Sequence, residues 1–208
     1  QLDHPSILPI LNAETTALRV FTDHDYLAGP AIDSYIQHLQ TQDQRMSINE
    51  TLRLIAQAAE ALGYAHQHDV VHGRIKPSNM LLQPLLRPDR DGDPPMRVLL
   101  ADFGMLHLFT GDEESLPSAY HGLLPYLSPG QARGEPLDSR SDIYALGMVL
   151  YHLVTGQRPF TISDPAEARE KHANQQPPLP STIRPVVPPA VEAVILHAIT
   201  KAPDERYQ

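Results

Sequence analysis

Val70-Val71-His72-Gly73-Arg74-Ile75-Lys76-Pro77-Ser78-Asn79 is the stretch on which the reading of this chain turns. Upstream of it, residues 49–68 place Leu52, Ile55, Ala56, Ala59, Leu62 and Ala65 at three- and four-residue intervals, which is one apolar face of a helix. Ser47, with Glu50 three residues later, predicts a capping box at the start of that helix. Asp69 stands where the helix must turn off, a conformation Asp tolerates better than most residues. Downstream, Met80-Leu81-Leu82 and residues 96–100 read as two short strands, joined by a surface connection rich in Pro, Arg and Asp with an Asp91-Gly92 turn signal. The second strand runs straight into Ala101-Asp102-Phe103-Gly104, so that Asp102 lies 23 residues after Asn79.

Farther along, Ile143 to Val154 is apolar on all sides and predicts a buried helix, which Gly156 stops. A short helix is expected near Pro165 to Ala173, then a proline-rich linker from Pro177 to Pro189, then an amphipathic helix from Ala190 to Lys201. The chain has 208 residues, a one-domain length with ample material for a core, and its 21 prolines concentrate in connections. A net charge of −9 argues against nucleic acid or an anionic membrane surface as the main partner. With no cysteine, disulfides and Cys-based zinc sites are excluded. The longest apolar stretch is about half of what a membrane helix needs, and no signal peptide is visible. His66, His68 and His72 lack the further ligands of a zinc constellation and are assigned to packing and hydrogen bonding.

In order and spacing these motifs resemble the protein kinase family, in its bacterial Ser/Thr branch. The 70–79 stretch is similar to the catalytic loop, with His72, Lys76 and Asn79 at matching positions, and Asp102-Phe103-Gly104 is similar to the metal-binding motif. Gly122-Leu123-Leu124-Pro125-Tyr126-Leu127-Ser128-Pro129-Gly130-Gln131-Ala132 resembles the segment that ends in Ser-Pro-Glu-Gln-Ala. Residues 139–147 resemble the start of the central helix of the large lobe, where Asp142 would accept backbone N–H bonds from the catalytic loop, and Pro203 to Tyr207 resembles the Pro-x-x-Arg-Tyr segment. Leu2 to Leu8 resembles the lead into the fourth small-lobe strand. The resemblance implies an α+β kinase-like fold, mainly the α-helical large lobe with the last small-lobe strands at the N-terminus. Residues 1–23 are then the end of the small lobe, 24–29 the hinge and 30–208 the large lobe. It further implies a fragment cut at both ends, with the glycine-rich loop and ATP-binding lysine upstream of Gln1.

The family's functional residues carry over as follows. Arg74 stands at the catalytic aspartate position, Lys76 reaches toward the transferred phosphate, and Asn79 and Asp102 are the Mg²⁺ ligands. Arg74 would lie near Asp102, where it could pair with that carboxylate or take over part of the metal's task. Asp25 and Leu27 of the hinge, with Leu81 as the apolar floor, would line the adenine of ATP, although Thr22, Asp23 and His24 are polar for a strand beside a base. Residues 105–127 resemble an activation loop with Thr110, Ser115, Ser118 and Tyr120 as modification sites, and Gly73 offers no side chain to hold a phosphate there. Arg74 has no base function, Leu123 replaces a hydroxyl residue that would bond the catalytic Asp and Lys, and Gly130 removes the carboxylate that would pair with Arg206. The expectation is a catalytically impaired pseudokinase that binds a protein partner. The alternatives are an active Ser/Thr kinase with an atypical loop that transfers the ATP γ-phosphate, and a scaffold that binds no nucleotide. ATP and Mg²⁺ are the cofactors implied. The location expected is cytoplasmic, with a membrane anchor elsewhere in the protein left open.

Overall fold

The computed structural model describes residues 2–15, 20–24, 27, 29–85, 96–103 and 122–208. Near the N-terminus, β1 (Asn12–Thr15) pairs antiparallel with β2 (Val20–Asp23), Asn12 facing Asp23 and Thr15 facing Val20. Two helices follow, α1 (Ile32–Thr41) and α2 (Ile48–Gln67), and then a hairpin of β3 (Met80–Pro84) and β4 (Met96–Leu100) with Met80 opposite Leu100. The remainder is helical: α3 (Pro129–Ala132), α4 (Ser139–Thr155), α5 (Pro165–Asn174), α6 (Pro180–Ile183) and α7 (Pro189–Ala198). The hairpin is tied to the N-terminal segment through Leu100, whose N–H donates to the Ser6 carbonyl at 2.9 Å and whose own carbonyl accepts from Leu8 at 2.9 Å.

The expected central helix is α4. Every residue from Tyr144 to Thr155 is buried and Ile143 is half-buried, and α2 and α7 pack against it. Asp138 caps its N-terminus by accepting from the Arg140 N–H at 3.0 Å, and Gly156 ends it in the left-handed conformation with φ 74°. At the crossing with α7 the two backbones come so close that a Cβ on Gly147 would stand 2.7 Å from the Ala198 Cβ and 2.8 Å from the Ile199 Cγ2. Gly147→Ala gains about 1 kcal/mol of helix propensity. Overpacking a fitted core costs about 1–3 kcal/mol. The variant is therefore expected to be net destabilised, seen as a lower denaturant midpoint.

The α2 face is rotated from the one predicted. Its buried residues are Thr51, Leu54, Ile55, Ala58, Ala61, Leu62 and Ala65, whereas Ala56 and Ala59 are exposed and Leu52 is half-buried. Alanines surround this helix, so several stripes satisfy the helical period, and contact with α4 and β4 selects the one that carries Leu54. Only half of the capping box forms: Ser47 Oγ accepts from the Glu50 N–H at 3.1 Å, while the Glu50 carboxylate accepts from the Tyr35 hydroxyl at 3.4 Å. Asp69 does turn the chain, with φ 57°.

Three helices, α1, α6 and the single turn of α3, were not expected. α1 carries Ile32, Tyr35, Ile36 and Leu39 at helical spacing amid a polar composition, and Ile32 and Ile36 are buried. α6 is one turn inside the predicted linker, held by a Glu192 carboxylate that accepts from the Ser181 N–H at 2.7 Å. No described helix is long and apolar enough to cross a membrane.

Candidate functional site

The loop 70–79 leaves α2 with its backbone already committed. Val70 N–H returns to the Ala65 carbonyl at 3.0 Å, and two donors farther on are claimed by α4: the Asp142 carboxylate accepts from His72 N–H at 2.8 Å and Gly73 N–H at 2.7 Å. His66 Nε2 also meets Asp142 Oδ2 at 2.8 Å. Asp142 is 1 % exposed, so this is a buried carboxylate satisfied by three donors, as expected from the sequence for the two backbone donors. From the other side Gln131 Nε2 of α3 donates to the Gly73 carbonyl at 2.7 Å. Sequence reasoning assigned Gln131 no role, and only its place in the Ser128 to Ala132 motif could have signalled one.

His72 is fully buried against the Phe103 ring, with centroids 4.4 Å apart. Its Nδ1 accepts from Arg74 N–H at 3.3 Å, and burial lowers its basicity, so the ring is neutral. Its Nε2 has no hydrogen-bond partner among the described residues, whereas His66 is bound to Asp142 and His68 Nδ1 meets the Tyr64 carbonyl at 2.8 Å. Among the described residues no group of three or more His, Asp or Glu is placed to hold a metal.

Asn79 closes the loop. Its Nδ2 donates to the Arg74 carbonyl at 2.9 Å, and its own carbonyl accepts from the Ala101 N–H at 2.9 Å. The second bond sets Asn79 beside Asp102, which adopts the left-handed conformation with φ 66° at the end of β4. The Asn79 Oδ1 is left as an oxygen donor, and the Asp102 carboxylate accepts no hydrogen bond among the described residues. A pair of hard oxygen ligands of this kind suits Mg²⁺, which keeps several waters and takes the rest of its shell from phosphates.

Arg74 is 8 % exposed. Lys76 is half-buried, and its ammonium is weakened first by that burial and then by the Arg74 charge, with Asp102 and Asp33 acting in the opposite sense. The ion pair anticipated between Arg74 and Asp102 is not among those of the described residues. Leu81 and Leu27 come together on a small apolar cluster with Leu8, Leu99 and Ala101. Leu81 bridges Ala31, and Gly29 approaches so closely that a Cβ there would stand 1.7 Å from the Leu82 carbonyl oxygen, which holds residues 29–31 against β3. Asp25 and Gly104 lie outside the described residues, as do residues 105–121 with the four modification sites.

The departures at 123 and 130 are accommodated rather than left as defects. Leu123 is buried at 2 % exposure. Arg206, without a carboxylate from position 130, directs its guanidinium at the carbonyls of Thr200 at 2.7 Å, Arg140 at 2.9 Å and Lys201 at 2.8 Å, and stacks 5.0 Å over the Tyr144 ring. A buried arginine with its donors filled avoids most of the penalty that an unpaired one carries.

Two further buried histidines anchor the 122–127 segment. His172 Nε2 meets the Leu124 carbonyl at 2.8 Å and its Nδ1 the Tyr144 hydroxyl at 3.1 Å, while His152 Nδ1 meets the Tyr126 hydroxyl at 2.8 Å. Burial pushes each imidazole down to about 4, helped by Arg158 at His152 and Lys201 at His172, against the raising pull of the Leu124 carbonyl. Above pH 6.5, the ordinary histidine value, both states are neutral and the stability is fully present. As pH falls from there toward about 4, the unfolded chain takes up protons that the native state refuses, so stability is lost. Each pH unit that separates the folded from the unfolded value corresponds to about 1.4 kcal/mol. Urea unfolding is expected to show a lower midpoint at pH 5 than at pH 7, and His172→Gln should flatten part of that slope.

A helical lobe built on a buried central helix, a clamped loop and an Asp-bearing strand end defines a protein kinase fold. Residues 1–207 match the family described as protein kinase domain, and the chain belongs to that family. It is 33% identical over 213 residues to the serine/threonine-protein kinase PknB of Mycolicibacterium smegmatis, covering 100% of this chain and 32% of that protein. It is 34% identical over 215 residues to the serine/threonine-protein kinase pkn3 of Myxococcus xanthus, covering 99% of this chain and 37% of that protein. The chain thus spans about a third of the length of the curated relatives it matches. Among solved structures it is similar to the Mycobacterium tuberculosis PknI kinase domain, with a TM-score of 0.72 at 28% identity, covering 99% of this chain and 67% of that one.

Proposed function

We propose that this chain is a Ser/Thr-kinase-like module that binds a protein partner and has lost efficient phosphoryl transfer. The observation that carries this reading is the clamped register of the loop. His72 and Gly73 are bound to Asp142 and Asn79 to the Arg74 carbonyl, and this order of partners supports reading Arg74 as the residue at the catalytic aspartate position. A permanently charged guanidinium has no lone pair with which to take up a substrate hydroxyl proton. The buried, apolar Leu123 supports the same conclusion, since it offers no hydroxyl to Lys76.

In this reading residues 1–23 close the small lobe, 24–29 form the hinge and 30–208 the large lobe. Leu27 and Leu81 enclose the adenine of ATP with Asp25 at the hinge, and Asn79 and Asp102 hold Mg²⁺, which when bound would neutralise phosphate charge. Lys76 orients the terminal phosphate. The module works in the cytoplasm, as the nucleotide requires. The retained Lys76, Asn79 and Asp102 favour the competing reading of an active Ser/Thr kinase with an atypical loop. Calorimetric titration of ATP with and without Mg²⁺, in protein that includes the small lobe, separates the two. Because the Arg74 guanidinium takes over part of the metal's task in this reading, binding that depends weakly on Mg²⁺, with phosphotransfer near background, is expected. Strict Mg²⁺ dependence with robust substrate phosphorylation would overturn the proposal.

A further inference from the structure

The chain has three lysines, Lys76, Lys171 and Lys201, and their surroundings set them apart. Lys76 belongs to the loop described above, where the charges of Asp102 and Asp33 support its ammonium. Lys171 is paired with the Glu167 carboxylate one helical turn earlier and donates to the Thr161 carbonyl at 2.6 Å. Lys201, just past the end of α7, pairs with no carboxylate among the described residues. Its Nζ there meets two oxygens, the Tyr144 hydroxyl at 3.4 Å and the Lys171 carbonyl at 3.5 Å. The ring faces of Tyr144 and Phe160 lie 5.7 and 5.4 Å from it, so carbon surrounds much of a half-buried amine.

A second cation shares this place. Arg206 is 4 % exposed and stacks 5.0 Å over the same Tyr144 ring. Its guanidinium donates to three carbonyls and to no carboxylate among the described residues, since position 130 is glycine. The carboxylate that acts on it through space, Asp138, is itself paired with Arg140. Burial, and then the Arg206 charge, bring the Lys201 ammonium from 10.5 down to about 8. At neutral pH such a side chain holds on the order of a hundred times more free amine than an ordinary lysine. A neutral amine in apolar surroundings, beside a cation that lacks a carboxylate, suits a small apolar reagent that an amine converts into an anion. Carbon dioxide is that reagent.

We propose that Lys201 is a carbamylation site, at which dissolved CO₂ becomes a carbamate favoured by the Arg206 charge. The lone pair of neutral Nζ attacks the carbon of CO₂, a nitrogen–carbon bond forms as one carbon–oxygen π pair moves onto oxygen, and the nitrogen gives up a proton to water. Nothing is oxidised or reduced, and the end of the side chain turns from positive to negative. The new anion supplies near Arg206 the negative charge that Gly130 does not. Its effect passes to the 122–127 segment through the Tyr144 hydroxyl, which meets His172 Nδ1 at 3.1 Å, and through His172 Nε2, which meets the Leu124 carbonyl at 2.8 Å. The site is independent of whether the module transfers phosphate.

The test equilibrates the intact protein at neutral pH with isotopically labelled CO₂, traps the carbamate by alkylation with triethyloxonium and locates it by peptide mass spectrometry. Lys201 should carry at least about tenfold more label than Lys171 in the same molecules, because free amine rises tenfold with each unit by which basicity falls. At fixed dissolved CO₂ the yield should rise as the pH passes through about 8, where the ammonium loses its proton. Lys201→Arg keeps the cation and should lose the carbamate resonance in the NMR spectrum. Acetyl phosphate forms the second arm, since its amide product is uncharged and indifferent to Arg206. Equal label on the two lysines, or none on Lys201, overturns the proposal. Acetylation of Lys201 without carbamate would show a reactive amine that makes no use of the neighbouring cation, and overturns it as well. The comparison of Lys201 with Lys171 is made in the unmodified protein and stands even where the arginine variant fails to fold.

Discussion

Asp142→Ala should lower the free energy of unfolding by about 3–5 kcal/mol, the range seen when one partner of a buried charged network is removed. The carboxylate is 1 % exposed and accepts from two backbone N–H groups and from His66. Without it the His72 and Gly73 donors stay buried with no acceptor, because α4 itself seals them from water. Asp142→Asn should do less harm, since one amide oxygen can still accept while its NH₂ faces donors. Chemical denaturation gives the ranking directly, and hydrogen exchange at His72 and Gly73 localises it. A loss below about 1 kcal/mol for the alanine variant would mean that the loop holds its shape by other means.

Arg74→Asp is the second large effect and concerns chemistry rather than folding. The substitution changes the local charge by two units beside Asn79 and Asp102, so nucleotide binding should become strictly dependent on Mg²⁺. A general base is worth about 10²–10⁴ in rate. Only part of that is expected to return, because buried Leu123 still offers no hydroxyl and Gly130 still lacks a carboxylate. Arg74→Asp combined with Leu123→Thr should therefore exceed the single variant in phosphotransfer. Restoring a carboxylate at Gly130 is a poorer route, since its Cβ would stand 3.0 Å from the Glu135 carboxylate and Arg206 already has three carbonyl partners. Calorimetry and a phosphotransfer assay on the variants check both statements. Rates for Arg74→Asp that match a fully active kinase would show that Leu123 and Gly130 carry no weight.

How much could be read beforehand differs from residue to residue. The partnership of Asp142 with the loop was legible only through the resemblance of residues 139–147 to the start of the family's central helix, and it agrees with the need of a buried carboxylate for donors. The buried α4 was legible for the same reason, an all-apolar run having no face to give to water. The α2 face was not, because Ala56 and Ala59 fit the helical period as well as Ala58 and Ala61 do, and one methyl carries little burial energy to separate the stripes. The capture of Arg206 by three carbonyls was equally hidden, since a backbone acceptor leaves no mark in side-chain patterns.

By itself the sequence determined the kinase class, the order of the site motifs and the identity of the residues at each, because these are local patterns that can be matched to those of a known family without any knowledge of packing. The tertiary structure alone decided which Asp142 oxygen takes which donor, that Gln131 grips the Gly73 carbonyl, and that Lys76, Tyr126 and Arg158 from three separate segments border one cavity. The physical reason is that such contacts join residues tens of positions apart, and their geometry is fixed by the packing of α1, α2 and α4 rather than by any local preference of the chain.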